Sequence, residues 1–106
     1  MTEQYCQSCC ISSDHPSLAG HFPSNPIVPG VVILDEVMHA VQQAIGLALG
    51  SDIPLRISTV KFLAPLRPEQ SFVIHFVLHR AKHRIDFQCR CDAHLIAKGV
   101  LQLDSL

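Results

Sequence analysis

Between His21 and Asp35 the chain reads His-Phe-Pro-Ser-Asn-Pro-Ile-Val-Pro-Gly-Val-Val-Ile-Leu-Asp, with prolines at 23, 26 and 29. Each proline fixes its own φ and pushes the residue before it toward extended geometry, so 21 to 29 is expected to be a stiff, non-helical loop. Gly30 takes whatever backbone angles a loop-to-helix junction requires. From Val31 an apolar segment runs to about Leu49, with Gly50 placed as a helix stop. A rigid loop holding a histidine leads here into a buried helix that carries a carboxylate one turn inside. That is a costly arrangement for a connector, and it reads as an active site.

The chain has 106 residues, enough for one domain with a single core. No run reaches about 18 uninterrupted apolar residues, so no membrane span is expected. The segment from Val31 to Leu49 is interrupted by Asp35, Glu36, His39, Gln42 and Gln43. The start, Met-Thr-Glu-Gln, lacks the basic flank and apolar core of a secretion signal, which leads to an expectation of the cytoplasm. Five cysteines cannot all pair internally, and free thiols are the default reading. A four-thiolate zinc site from Cys6, Cys9, Cys89 and Cys91 is opposed by strand geometry: Cys6 and Cys9 would face opposite ways.

Charge is unevenly distributed. The first 55 residues hold five acids and no Lys or Arg, while the remainder holds all eight basic residues against four acids. Such a basic half can dock an acidic partner, although scattered solvated strand ends explain most of it as simply. No basic cluster interleaved with aromatics points to nucleic acid.

Tyr5 to Ser12 reads as a first strand. On the helix, Asp35, Glu36, His39, Gln42, Gln43 and Gly46 fall within about a third of the circumference. The other side, with Leu34, Val37, Met38, Val41, Ala44 and Ile45, calls for a sheet wrapped around it. Strands follow at 55–62, 71–80, 85–91 and 95–103. In 71–80 Phe72, Ile74, Phe76 and Leu78 alternate against Val73, His75, Val77 and His79. The pattern alone says α+β.

The run H-F-P-x-x-P-x-x-P-G-V-x-x-L-[DE], with Asp14-His15-Pro16-x-Leu18-x-Gly20 before it and Lys61-Phe62-x-x-Pro65-x-x-Pro68 after it, strongly resembles the signature of the β-hydroxyacyl-acyl-carrier-protein dehydratases. The resemblance covers most of the chain, from about Asp14 onward. It implies a hot-dog fold, a curved antiparallel sheet wrapped around one long central helix. It also implies a homodimer, or an assembly of dimers, in which the histidine and the acid of one site come from different subunits. The substrate would ride on the phosphopantetheine arm of acyl carrier protein or coenzyme A, with no other cofactor. This sequence departs from the family at Ser24 (usually Gly), at His39 (often Gln), and at Glu69-Gln70 (usually Gly-Asp). Together with the chain's shortness, these departures suggest a relative specialised for a dedicated acyl or polyketide-like pathway.

Dehydrating a β-hydroxyacyl thioester needs a base for the α-proton, an acid for the departing hydroxyl, and donors for the charge on the thioester oxygen. The resemblance assigns the first role to His21, an imidazole largely neutral near pH 7. It assigns the second to Asp35, which is fourteen residues further on and expected to be buried near the helix start. Gly30 and Val31 begin the helix, so their N–H groups lack intrahelical partners and can face an oxyanion. The resemblance gives that role chiefly to Gly30. Phe22, Pro29, Met38 and His39 complete the expected lining, and Phe62 is a candidate for setting pocket depth. Asp35 and His39 sit one turn apart; a hydrogen bond orienting Asp35 is the simpler account of that pair, ahead of a metal site shared with His21. His75, His79, His83 and His94 are read as non-catalytic. Two alternatives remain: a hot-dog thioesterase that activates water, and a non-catalytic acyl-binding subunit.

Overall fold

A computed structural model describes residues 2–16, 27–49 and 54–104. The elements are β1 (Thr2–Cys10), α1 (Gly30–Leu49), β2 (Leu55–Phe62), β3 (Ser71–His79), β4 (Arg84–Cys91) and β5 (His94–Leu103), with a 3₁₀ turn at Arg80–Lys82 between β3 and β4. All strand pairs are antiparallel, in the order β1-β3-β4-β5-β2. The helix lies across one face, giving the expected α+β architecture. β1 begins and ends earlier than the Tyr5–Ser12 expected from sequence; its nine residues pair in unbroken register with β3, from Thr2↔His79 to Cys10↔Ser71.

Binary patterning accounts for the core. Phe72, Ile74, Phe76 and Leu78 of β3, Ile85, Phe87 and Cys89 of β4, and Ala97, Leu101 and Leu103 of β5 are buried on the concave face. Against them pack Val32, Ile33, Val37, Ala40, Val41 and Ile45 of α1. Among the described residues no polar or charged side chain is buried. Tyr5 stacks on Phe76 with ring centroids 5.0 Å apart and carries the core to the β1 edge. Cys6 is exposed and Cys9 half-buried on opposite faces of β1, as the alternation requires. Burial pushes the Cys89 thiol up to about 12 and also raises that of Cys9, so neither is a ready thiolate. No helix among the described residues is long and apolar enough to cross a membrane.

Two bulges set which residues reach the functional end. On β2, Ile57 pairs with Leu101 but Thr59 with Val100, leaving Ser58 as an extra residue. The side-chain period of a strand is two, so the extra residue exchanges the faces beyond it. Val60 and Phe62 thereby turn toward the helix and Lys61 turns outward. On β5 the extra residue is Ile96. Its carbonyl accepts from the N–H of Leu63 (2.9 Å) and of Ala64 (3.4 Å), tying the end of β2 to the sheet.

Candidate active site

The helix start is built from Pro29. Its carbonyl accepts from the N–H of Val32 (2.9 Å) and of Ile33 (3.4 Å), and the N–H groups of Gly30 and Val31 have no acceptor among the described residues. They are the orphan donors every helix start carries, with the positive end of the helix dipole behind them. They open onto an apolar groove of ≈ 840 Å³ lined by Ile27, Pro29, Gly30, Val31, Phe62 and Leu63 among others. The groove is held together across the chain: the Val28 N–H donates to the Leu66 carbonyl at 2.7 Å.

Phe62 forms the groove's opposite wall. A Cβ built on Gly30 would lie 2.7 Å from Phe62 Cζ, so the ring rests directly on the glycine. Only a residue without a side chain allows that approach. The ring is nonetheless 48 % exposed, as is Val31 at 71 %. Two apolar side chains beside these amides are thus left open to water.

Asp35 lies one turn beyond Val31, about 6 Å along the axis. With Glu36, Met38, His39 and Gln42 it lines a second depression of ≈ 410 Å³. The structure therefore divides the expected lining: Pro29, Gly30 and Val31 face the groove, while Asp35, Met38 and His39 share the neighbouring hollow. The expected burial of Asp35 is corrected, because in the single chain it is exposed. The reason is rotational. The buried face of α1 runs through Ile33, Val37, Ala40, Val41 and Ile45, whereas Val31, Asp35, His39 and Gln43 form the outermost i, i+4 stripe. His21 and Phe22 lie outside the described residues. Among the described residues no three His, Cys, Asp or Glu side chains gather as a metal set.

One participant was visible in sequence only as a departure. Glu69 takes φ 69°, the left-handed region where glycine is at ease. Its Oε1 accepts the Ser13 N–H at 2.7 Å, and its own N–H donates to the Ile11 carbonyl at 2.8 Å. The Ser13 bond holds the Glu69 carboxyl below its usual range. Ser12 Oγ in turn accepts the Asp14 N–H at 3.1 Å. The segment entering the His21 loop is thereby moored to the β2–β3 connection. The usual glycine would supply the backbone angle but not the mooring.

The chain matches the family model of the ApeI-like proteins, described as ApeI dehydratase, over residues 2–100. It is 32% identical over 100 residues to the 3-hydroxyacyl-[acyl-carrier-protein] dehydratase FabZ of Chlamydia trachomatis serovar L2, covering 86% of this chain and 65% of that protein. Against FabZ of Ehrlichia chaffeensis it is 30% identical over 98 residues, covering 86% and 63%. The chain thus spans just under two thirds of the length of these relatives. Among solved structures it is similar to the dehydratase heterocomplex ApeI:P from Xenorhabdus doucetiae (TM-score 0.77, 28% identity, 97% of this chain and 93% of that one). The fluoroacetyl-CoA thioesterase FlK superposes with a TM-score of 0.74 at 13% identity over 95% of this chain and 84% of that one, which speaks for the fold alone. A long helix cupped by a 1-3-4-5-2 sheet, amides at its proline-led start with no acceptor among the described residues, and a family match reaching from the first strand almost to the end of the last together make this chain a hot-dog protein of the ApeI-like dehydratase family.

Proposed function

We propose that the protein removes water from a (3R)-hydroxyacyl thioester to give the trans-2-enoyl thioester. The acyl group would be carried on the phosphopantetheine arm of acyl carrier protein or coenzyme A. The observation that carries this reading is the pair of N–H groups at Gly30 and Val31, without acceptors among the described residues, opening onto an apolar groove, with Asp35 one turn further along the same helix stripe. The thioester oxygen accepts from the Gly30 amide, where the helix dipole favours the developing negative charge. His21 takes the proton from the α-carbon. Asp35 delivers a proton to the β-hydroxyl, which leaves as water while the Cα–Cβ double bond forms. No step calls on a cofactor.

The site is completed by a second chain. Asp35, Val31 and Phe62 are open to water in one protomer, and β2 is an edge strand with an exposed Ile57. Unpaired edges and apolar exposure of this kind support pairing. In such a homodimer the reaction would draw its base, His21, from one protomer and its acid, Asp35, from the other. The relatives named as 3-hydroxyacyl-[acyl-carrier-protein] dehydratase FabZ support the acyl-carrier substrate.

The test is incubation with a β-hydroxyacyl carrier protein and mass measurement of the acyl group. Loss of one water is expected. His21→Ala and Asp35→Asn should each lower turnover by roughly 10²–10⁴, while Asp35→Asn, at an exposed position, should leave stability within about 0.5 kcal/mol. Release of free acid would transfer the assignment to a thioesterase. An unchanged, bound thioester would make the chain an acyl-binding subunit.

A further inference from the structure

The chain on either side of His21 is tied to one short stretch, the β2–β3 connection at 63–70. On the entry side, the Glu69 N–H donates to the Ile11 carbonyl at 2.8 Å, and Glu69 Oε1 accepts the Ser13 N–H at 2.7 Å. On the exit side, the Leu66 carbonyl accepts the Val28 N–H at 2.7 Å. His21 stands midway in sequence between Ser13 and Val28.

The connection is itself well fixed. Its first residues, Leu63 and Ala64, donate to the Ile96 carbonyl of β5. Leu66 is buried in the core. Further on the connection closes on itself: Gln70 Oε1 accepts the Arg67 N–H at 2.8 Å, and the Gln70 N–H donates to the Arg67 carbonyl at 3.3 Å. Phe62, which immediately precedes it, rests on Gly30. Whatever is moored to this connection is therefore held in register with the amides at the helix start.

Glu69 makes the one long-range tie in this set that comes from a side chain, reaching across 56 positions. Its φ of 69° would be easier for glycine, so the position keeps a side chain at a cost to its own backbone. The acceptor is a carboxylate and the bond is short, as charge-assisted bonds are. It also ends on a main-chain N–H, so it fixes the path of the chain and not merely a mobile surface side chain.

We propose that Glu69 is a positioning residue of the active site. Its carboxylate fixes the backbone at Ser13 and, with the Leu66–Val28 tie, sets the two points between which the chain presents its catalytic base. The kinetic consequence rests on the dehydratase reading. A misplacement of about 1 Å can cost on the order of 10² in rate. The groove walls at Gly30, Val31 and Phe62 do not depend on this bond, so the loss falls on the chemical step and not on substrate binding.

The experiment compares the parent chain with Glu69→Gly and Glu69→Gln on a β-hydroxyacyl carrier protein. Glu69→Gly deletes the bond while easing the backbone, so the urea midpoint should stay close to the parent's. Its kcat should nevertheless fall on the order of tenfold, with KM unchanged. Glu69→Gln keeps an acceptor for Ser13 and should recover most of the loss. Undiminished kcat in Glu69→Gly, a loss confined to KM, or a Glu69→Gln variant as slow as Glu69→Gly would each overturn the proposal. Amide hydrogen exchange supplies an arm that needs no turnover: Glu69→Gly should speed exchange at Val28 as well as at Ser13, since the two ties hold one segment. A parent chain that removes no water would defeat the dehydratase reading alone. Faster exchange confined to Ser13 would defeat the brace.

Discussion

Gly30 and Phe62 form one unit, and a methyl group at Gly30 separates its structural importance from its proposed catalytic one. The atoms such a methyl would meet belong to the tip of a half-exposed ring, which can swing aside into solvent. Gly30→Ala is therefore expected to cost under about 1 kcal/mol in urea unfolding, below the usual range for overpacking a closed core. Turnover should fall far more, because the displaced ring intrudes on the groove beside the amide donors. Phe62→Leu in the same chain should recover part of the lost kcat/KM, a non-additivity expected of side chains in contact. At Glu69 the side chain rather than the backbone carries the effect. Its carboxyl titrates lower in the folded protein than its ordinary 4.5, so the mooring of Ser13 contributes stability above that value and loses it as pH falls through the folded-state value. Glu69→Gln should flatten this part of the stability-versus-pH curve while keeping the bond to Ser13.

At the scale of elements, Gly99 fastens β2 to the sheet. A Cβ there would press on the Thr59 carbonyl oxygen and on the Phe87 ring, which lies across the glycine. The Thr59 contact is backbone and cannot rotate away, so Gly99→Ala should destabilise by roughly 1–3 kcal/mol or more, with amide exchange rising first along β2 and β5. The later strands and the helix were legible from periodicity, with β3 alternating without error and the prolines marking where α1 must begin, whereas the mixed polarity of β1 hid its bounds, Thr2–Cys10. The bulges were not. The stretch Leu55 to Phe62 reads as one strand in any register, and only its pairing with β5 reveals Ser58 as the extra residue. That is why Phe62 could be named as a candidate for setting pocket depth without its direction being known. Asp35 was misplaced for a related reason. Helical spacing groups it with Glu36 and His39, but where that group points depends on how the sheet seats the helix. Glu69 could be seen to replace a glycine, yet a bond to Ser13, 56 positions away, leaves no trace in local sequence.

For the molecule as a whole, the proposed dimer makes the edge of β2 the decisive surface. Ile57 is 42% exposed there in the single chain. Ile57→Lys places a charge on that edge, a device sheets use against edge pairing. Sedimentation should then report the mass of one chain where the parent gives two, and activity should fall with the dimer. A further consequence follows from where the acids and bases lie. Asp35 and Glu36 sit on the helix side, while Lys61, Arg90 and Lys98 project from the opposite side of the sheet, so a chain of formal net charge −1 has two broad faces of opposite sign. In an external field such a body experiences torque before it experiences attraction. Encounters with a charged molecule will be pre-aligned within a Debye length, about 8 Å at physiological salt, and that alignment will fade as ions are added.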